Sequence, residues 1–216
     1  MSGNRWLRDT EVYRSVYIGQ PICILVCMTT AAHIARTALD LFYRQGFHAA
    51  GVDLLSQAAG VTKRTLYRHF PTKDALIAAA LDLRHEQFMG GMQAFVEAAS
   101  VPQRPLAYIE FIQRWAASHD FHGCAFINAS AEFSQVTSAP HAQAAQHKSD
   151  VQGYVMQLCQ AADVKHPELV AMQLFLLGEG LIVSSQVNGY DASIGEAALE
   201  TAKAWLAKSM GRSKRT

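Results

Sequence analysis

The chain has 216 residues, of which 50% are apolar and 17% charged. That is too hydrophobic for a disordered chain, too mixed for collagen or a coiled coil, and long enough for one large or two small domains with a real core. A membrane-spanning helix needs about 20 consecutive apolar residues, whereas the longest uninterrupted apolar runs, Ile22–Met28 among them, have seven. The cysteines Cys23, Cys27, Cys124 and Cys159 are too few and too scattered to staple a chain of this size. The expectation is a cytoplasmic protein in a reducing compartment, with no membrane partner, no cofactor and no metal.

The net charge of +1 conceals a division. Between Met28 and Asp74 the bases Arg36, Arg44, Lys63, Arg64, Arg68 and Lys73 meet only Asp40, Asp53 and Asp74, a balance of +3. From Ala75 to Gly211 seven bases meet thirteen acids, a balance of −6. Opposite signs imply that the first part meets a polyanion and the second does not.

In chain order, residues 1–27 form a poorly defined extension. Arg5, Arg8 and Arg14 precede a short apolar run, as in a secretory signal, but the run is at the lower length limit and Gln20-Pro21 interrupts its approach. Met28 is the expected functional start, with 1–27 as upstream sequence. From Thr30 the pattern is helical: Ile34, Ala38, Leu41, Phe42 and Gln45 keep a three-four spacing, and Gly46 stands where a residue of positive φ would end the helix. A short apolar segment, Val52–Ala59, is followed by Gly60-Val61 and then Thr62–Phe70. Thr72 is suited to cap a long helix from Lys73 to about Ser100, and Pro102 and Pro105 to open the next. Ala125–Phe133 is a shorter helix. Pro140 and Pro167 fit first turns, and Asp191 fits the cap of a last helix that Gly211 closes. Nothing alternates like a strand, so the spacing predicts an all-α protein of nine helices. The expected division is a first helical domain over 28–74, a second over 75–211 and a basic tail over 212–216.

Val52–Phe70 (VDLLSQAAGVTKRTLYRHF) describes two short helices joined by a tight turn. Val52, Leu55 and Ala59 face inward, and Ser56 is small enough for close crossing. Gly60 supplies positive φ, Val61 plugs the angle, and Thr62 caps a second helix whose Leu66 and Phe70 also face inward. Lys63, Arg64, Thr65, Tyr67, Arg68 and His69 are left outside. A two-turn helix with three bases and an exposed Tyr buries little surface and suits a major groove, where Lys and Arg read guanine edges and hydroxyls hold phosphate. Lys73 adds a further phosphate contact.

Gly60–Leu76 (GVTKRTLYRHFPTKDAL), preceded by LDLFYRQGFHAAGV at Leu39–Val52, resembles the signature of the TetR family of bacterial transcriptional regulators. The resemblance implies an all-α homodimer with an N-terminal three-helix DNA-binding domain and a C-terminal helical domain that holds a small-molecule pocket. The last two helices of that domain would form the dimer interface. It also implies that Lys63, Arg64 and Arg68 approach bases while Thr65, Tyr67, His69 and Lys73 hold the backbone of double-stranded operator DNA. One departure stands out: the family has Thr or Ser where the second helix begins, whereas this chain has Ala50-Gly51, a lost cap that costs about 1 kcal/mol.

Farther on, Val170–Val187 is apolar nearly all round, as a buried helix should be, and Gly178 and Gly180 allow close helix contact. With Ala197–Met210 it is the expected dimer face. Trp115, Phe126, Phe133 and Phe175 either line an apolar ligand cavity or simply pack. Cys124 is either an electrophile sensor, as in one TetR subgroup with a Gly-Cys pair here, or a small core residue. His119, His122 and Cys124 lack the spacing of a metal site. Glu179, a charge in an apolar stretch, must meet a base such as Arg114 or help bind a ligand. The function expected is a ligand-released repressor. The alternatives are an activator, a ligand-independent DNA-binding protein, or a small all-α thiol or metal enzyme using Cys124 and His122. Against the enzyme, no Ser/His/Asp set or phosphate-cradling Gly loop is present in the sequence.

Overall fold

The computed structural model describes residues 29–209, all helix and connecting turns; the readings of residues 1–28 and 210–216 lie outside them. Nine α-helices follow one another: α1 (Thr30–Gln45), α2 (Val52–Ala58), α3 (Lys63–His69), α4 (Lys73–Glu97), α5 (Arg104–Ala116), α6 (Ala125–Glu132), α7 (Ala139–Ala161), α8 (Pro167–Asn188) and α9 (Ala192–Ser209).

The local signals at Thr62, Thr72, Asp191, Gly46 and Gly60 act as expected. Thr29, Thr62 and Thr72 each accept a hydrogen bond from the backbone N–H three residues on, at 3.2, 3.1 and 3.0 Å, and Asp191 accepts from Ser193 N at 2.8 Å. These side chains satisfy amides that a helix start leaves without partners. Gly46 ends α1 at φ +92° and Gly60 makes the α2–α3 turn at φ +62°. Two boundaries differ from expectation. Helix α4 stops at Glu97 instead of running to about Ser100, and Pro102 sits in a separate 3-10 turn, Val101–Gln103, while Pro105 alone lies in the first turn of α5. Proline has no N–H and is tolerated only in the first turn of a helix, so Pro102 and Pro105, three apart, each stand at the start of a helical segment of its own.

The first three helices close on a small core of Ile34, Ala38, Phe42, Phe47, Leu55 and Leu66, each 1% exposed or less. Helix α4 belongs to both parts of the molecule. Its first half, with Leu76, Ile77, Ala80 and Leu81, is buried in the stretch that packs on α1, and its second half carries Phe88, Met92 and Val96 into the contacts with α5 and α7. The division between Asp74 and Ala75 therefore falls inside its first turn. Beyond it, α5 lies against α8 and α9, and α7 against α6 and α8.

Candidate nucleic-acid interface

Helix α3 is held by two small anchors. Leu66 is completely buried, and Phe70 packs against the same core. Helix α2 crosses it with Leu55 inward and Ser56 buried, the Ser56 hydroxyl donating to the Asp53 carbonyl at 3.0 Å. At the N-terminus of α2 Gly51 offers no side-chain cap, and Asp53 instead brings negative charge to the first turn, where the helix dipole favours it. The turn between α2 and α3 is tied to α1 by the His33 ring, 3.2 Å from the Ala59 carbonyl.

The seven residues expected to meet DNA fall into three groups. Arg64, Tyr67 and Arg68 are exposed, and neither arginine is in an ion pair among the described residues. Lys63 and Thr65 are engaged locally. Lys63 forms a salt bridge with Asp53 of α2 that holds its ammonium above the usual lysine range through a hydrogen bond and charge attraction, and Thr65 shares a hydrogen bond of 3.0 Å with Thr62. His69 and Lys73 are turned towards the protein. His69 buries Nε2 without a partner, and Lys73 donates to the His48 carbonyl at 3.2 Å. The free arginines Arg64 and Arg68 can enter a groove about 12 Å wide, the width of a B-DNA major groove, without first breaking bonds of their own.

Glycines, aromatics and bases in this order match a known sequence pattern: the model described as "Bacterial regulatory proteins, tetR family" matches residues 34–80, and a TetR-family regulator of solved structure from Streptomyces coelicolor, SCO4454, superimposes with a TM-score of 0.75 at 28% identity over 84% of this chain and 90% of its own. Residues 34–80 of the chain carry the TetR-family pattern. Two curated relatives carry regulator names. The activator FasR of Mycolicibacterium smegmatis is 31% identical over 40% of this chain, and the regulator YjdC of Escherichia coli is 25% identical over 74% of this chain and 85% of its own. The chain spans 39% of the length of FasR and 24% of another curated relative it matches.

The joint between this TetR-type domain and the C-terminal helices was not legible in the sequence. Glu132, the last residue of α6, accepts from the backbone N–H of Phe47 at 2.9 Å and of His48 at 2.7 Å, and lies 2.9 Å from the His48 ring. Partial burial pushes its carboxyl up, but the His48 and Phe47 amides and the His48 ring outweigh that and hold it below the usual range. A Cβ on Gly46 would stand 3.0 Å from this carboxylate. Phe133, next in the chain, stacks on His48 at 4.7 Å and meets Phe47 edge-on. On the other side of α1 the Tyr43 hydroxyl donates to the Gly123 carbonyl at 2.8 Å and accepts from His122 N at 3.0 Å.

The residues expected to meet a ligand are distributed rather than gathered. Trp115 and Phe126 are buried with Phe88 and His147, the Phe126 and His147 rings stacked at 3.6 Å. Cys124 is buried at the start of α6, where its N–H donates to Gln186 at 3.2 Å. Phe175 packs on the core from α8, and Phe133 lies apart, at the joint. The base that Glu179 meets is Lys148, at 2.7 Å to both carboxylate oxygens, and not Arg114, which lies over the Phe95 ring; α7 faces this stretch of α8, which helical spacing alone does not reveal. Two polar groups escaped notice. His147 is 3% exposed with its Nδ1 3.1 Å from that of His85, and burial, then Lys148, His85 and Arg84, lower its pKa to about 3. Tyr108 is fully buried beside Gly178, its hydroxyl without a partner among the described residues, and burial, followed by Glu179 and Cys124, pushes it well above the usual tyrosine range.

Proposed function

We propose that this TetR-family regulator is a dimeric repressor that places two α3 helices in successive major grooves of a roughly palindromic operator. A small molecule held in its C-terminal domain would release it. The observation that carries the reading is α3 itself, whose exposed surface is Arg64, Tyr67 and Arg68 around a fully buried Leu66. A second copy is supported by α8. Leu169, Met172, Leu176, Val183 and Val187 are exposed, Leu176 at 60% and Val187 at 75%, at three-four and seven-residue spacings that put them on one stripe. Gly180 lies on the same stripe, where an added Cβ would meet no other part of the described residues within 4 Å, whereas a Cβ on Gly178 would meet Tyr108. Helix α8 is also apolar and long enough to cross a membrane; a helix whose inner face is core and whose outer face meets a second copy has the same composition. The dimer is what a palindromic site requires.

Release follows from the joint. A ligand that prefers one placement of α6 also prefers one placement of the α1–α2 turn, and its preference between the two states sets the change in DNA affinity. Titration of a labelled duplex from the region flanking the protein's own gene, read by fluorescence anisotropy, should saturate. Failure on every flanking duplex would remove the regulator reading and leave the thiol or metal enzyme. The activator name of FasR supports a second reading that differs only in sign, and transcription from a reporter with and without the protein decides between them.

A further inference from the structure

A groove of about 460 Å³ opens on the seam between the DNA-binding helices and the C-terminal domain, lined by Tyr43, Arg44 and Gly46 of α1, Phe121–Gly123 and Asn128 around the start of α6, and Ser185, Gln186 and Gly189 at the end of α8. Its size is that of small-molecule sites in general. No Asp or Glu lines it. Arg44 is exposed and makes no ion pair among the described residues, Asp40 one turn earlier included. The opposite wall is made of hydrogen-bonding side chains: Gln186 spans from Cys124 N at 3.2 Å to Asn128 at 2.7 Å, and Ser185, 3% exposed, keeps a hydroxyl with no partner among the described residues. A buried hydroxyl without a partner is costly unless something supplies one. The walls are braced, since Tyr43 is bonded to the His122–Gly123 backbone and a Cβ on Gly123 would collide with the Gln186 side chain. We propose that this groove binds a small organic oxyanion, a carboxylate or a phosphate ester, with Arg44 on the anionic head and Ser185, Asn128 and Gln186 on the remainder. This site is separate from the residues packed around His147, and occupancy ties α1 to α8, so anion and DNA affinities are linked reciprocally.

Calorimetric titration of the full chain with malate, glycerol phosphate and, as a neutral control, glycerol at constant ionic strength tests the assignment. At least one anion should bind saturably and glycerol should not, with malate or glycerol phosphate as the tighter ligand deciding between carboxylate and phosphate. Arg44→Gln should weaken that anion at least tenfold and Ser185→Ala several-fold, while Lys208→Gln, a surface cation at the far end of α9, should leave it unchanged. Thermal melts of the variants establish that they are folded. Saturable binding by neither anion, or binding that Arg44→Gln and Lys208→Gln alter equally, overturns the proposal. Neither result bears on the DNA titration, which contains no organic anion.

Discussion

At the residue scale the division of labour on α3 is set by which bases already have partners. Arg64 is exposed and unpaired among the described residues, so its planar fork is available for a guanine edge. Arg64→Ala should cost about 1–3 kcal/mol on the preferred duplex and relax selectivity at one base pair; a variant as selective as the parent in competition binding would exclude base readout by Arg64. Lys63 differs because Asp53 holds it. Asp53→Asn should free its ammonium and remove a repelling carboxylate, raising affinity for all duplexes. The slope of log K against log salt should steepen by about 0.9 per phosphate gained; an unchanged slope would show that Lys63 already leaves Asp53 on DNA. The caps at Thr62 and Thr72 and the positive φ at Gly60 were legible in sequence because each is decided within four residues. The inward turn of His69 and the Lys63–Asp53 bridge were not, because they depend on how α2 crosses α3.

At the scale of elements, the C-terminal end of α6 is the piece that the helical pattern could not place. Glu132 is 85 residues from Phe47, yet with Phe133 it closes the α1–α2 turn. Hydrogen bonds to a charged acceptor contribute about 1.5–3 kcal/mol each, and a bond lost at a partly exposed site costs less. Glu132→Ala should therefore lower stability by about 1–3 kcal/mol at neutral pH. Because the folded-state carboxyl lies below its ordinary range, this contribution is present above the unfolded value and disappears as pH falls through the folded one. Denaturant midpoints of parent and variant should converge in acid; a difference constant down to the lowest pH would refute the charged contact.

For the whole molecule, two properties follow from what the core and the surface have left over. His147 is kept neutral inside the C-terminal domain with a folded pKa of about 3, while the unfolded histidine takes up a proton below about 6.5. The folded state therefore loses stability as pH drops from about 6.5 towards 3, at about 1.4 kcal/mol per pH unit, or about 2 kcal/mol by pH 5. The groups around it are His85, Lys148 and Arg84, with Asp150 3.9 Å from His85. In His147→Asn the slope of stability between pH 6.5 and 5 should shrink by one proton's worth; an identical slope would place that titration elsewhere. The α8 stripe belongs to the same scale. Leu176→Glu, at a position 60% exposed in the single chain, should convert a dimer into monomers in analytical ultracentrifugation and weaken operator binding with it. A variant that stays dimeric would put the interface on another face.

The fold class, the order of nine helices and the helix-turn-helix were fixed by the chain's own periodicity, caps and glycines, because these act over a few residues and need no knowledge of the rest. What closed the molecule had no such signature. The carboxylate at the α1–α2 turn, Lys148 as the partner of Glu179, Phe133 at the joint rather than beside Trp115, and the polar seam around Arg44 all join residues brought together only when helices pack. A helical pattern specifies which face of a segment is buried and not which segment covers it. Contacts between faces are therefore a property of the assembled bundle.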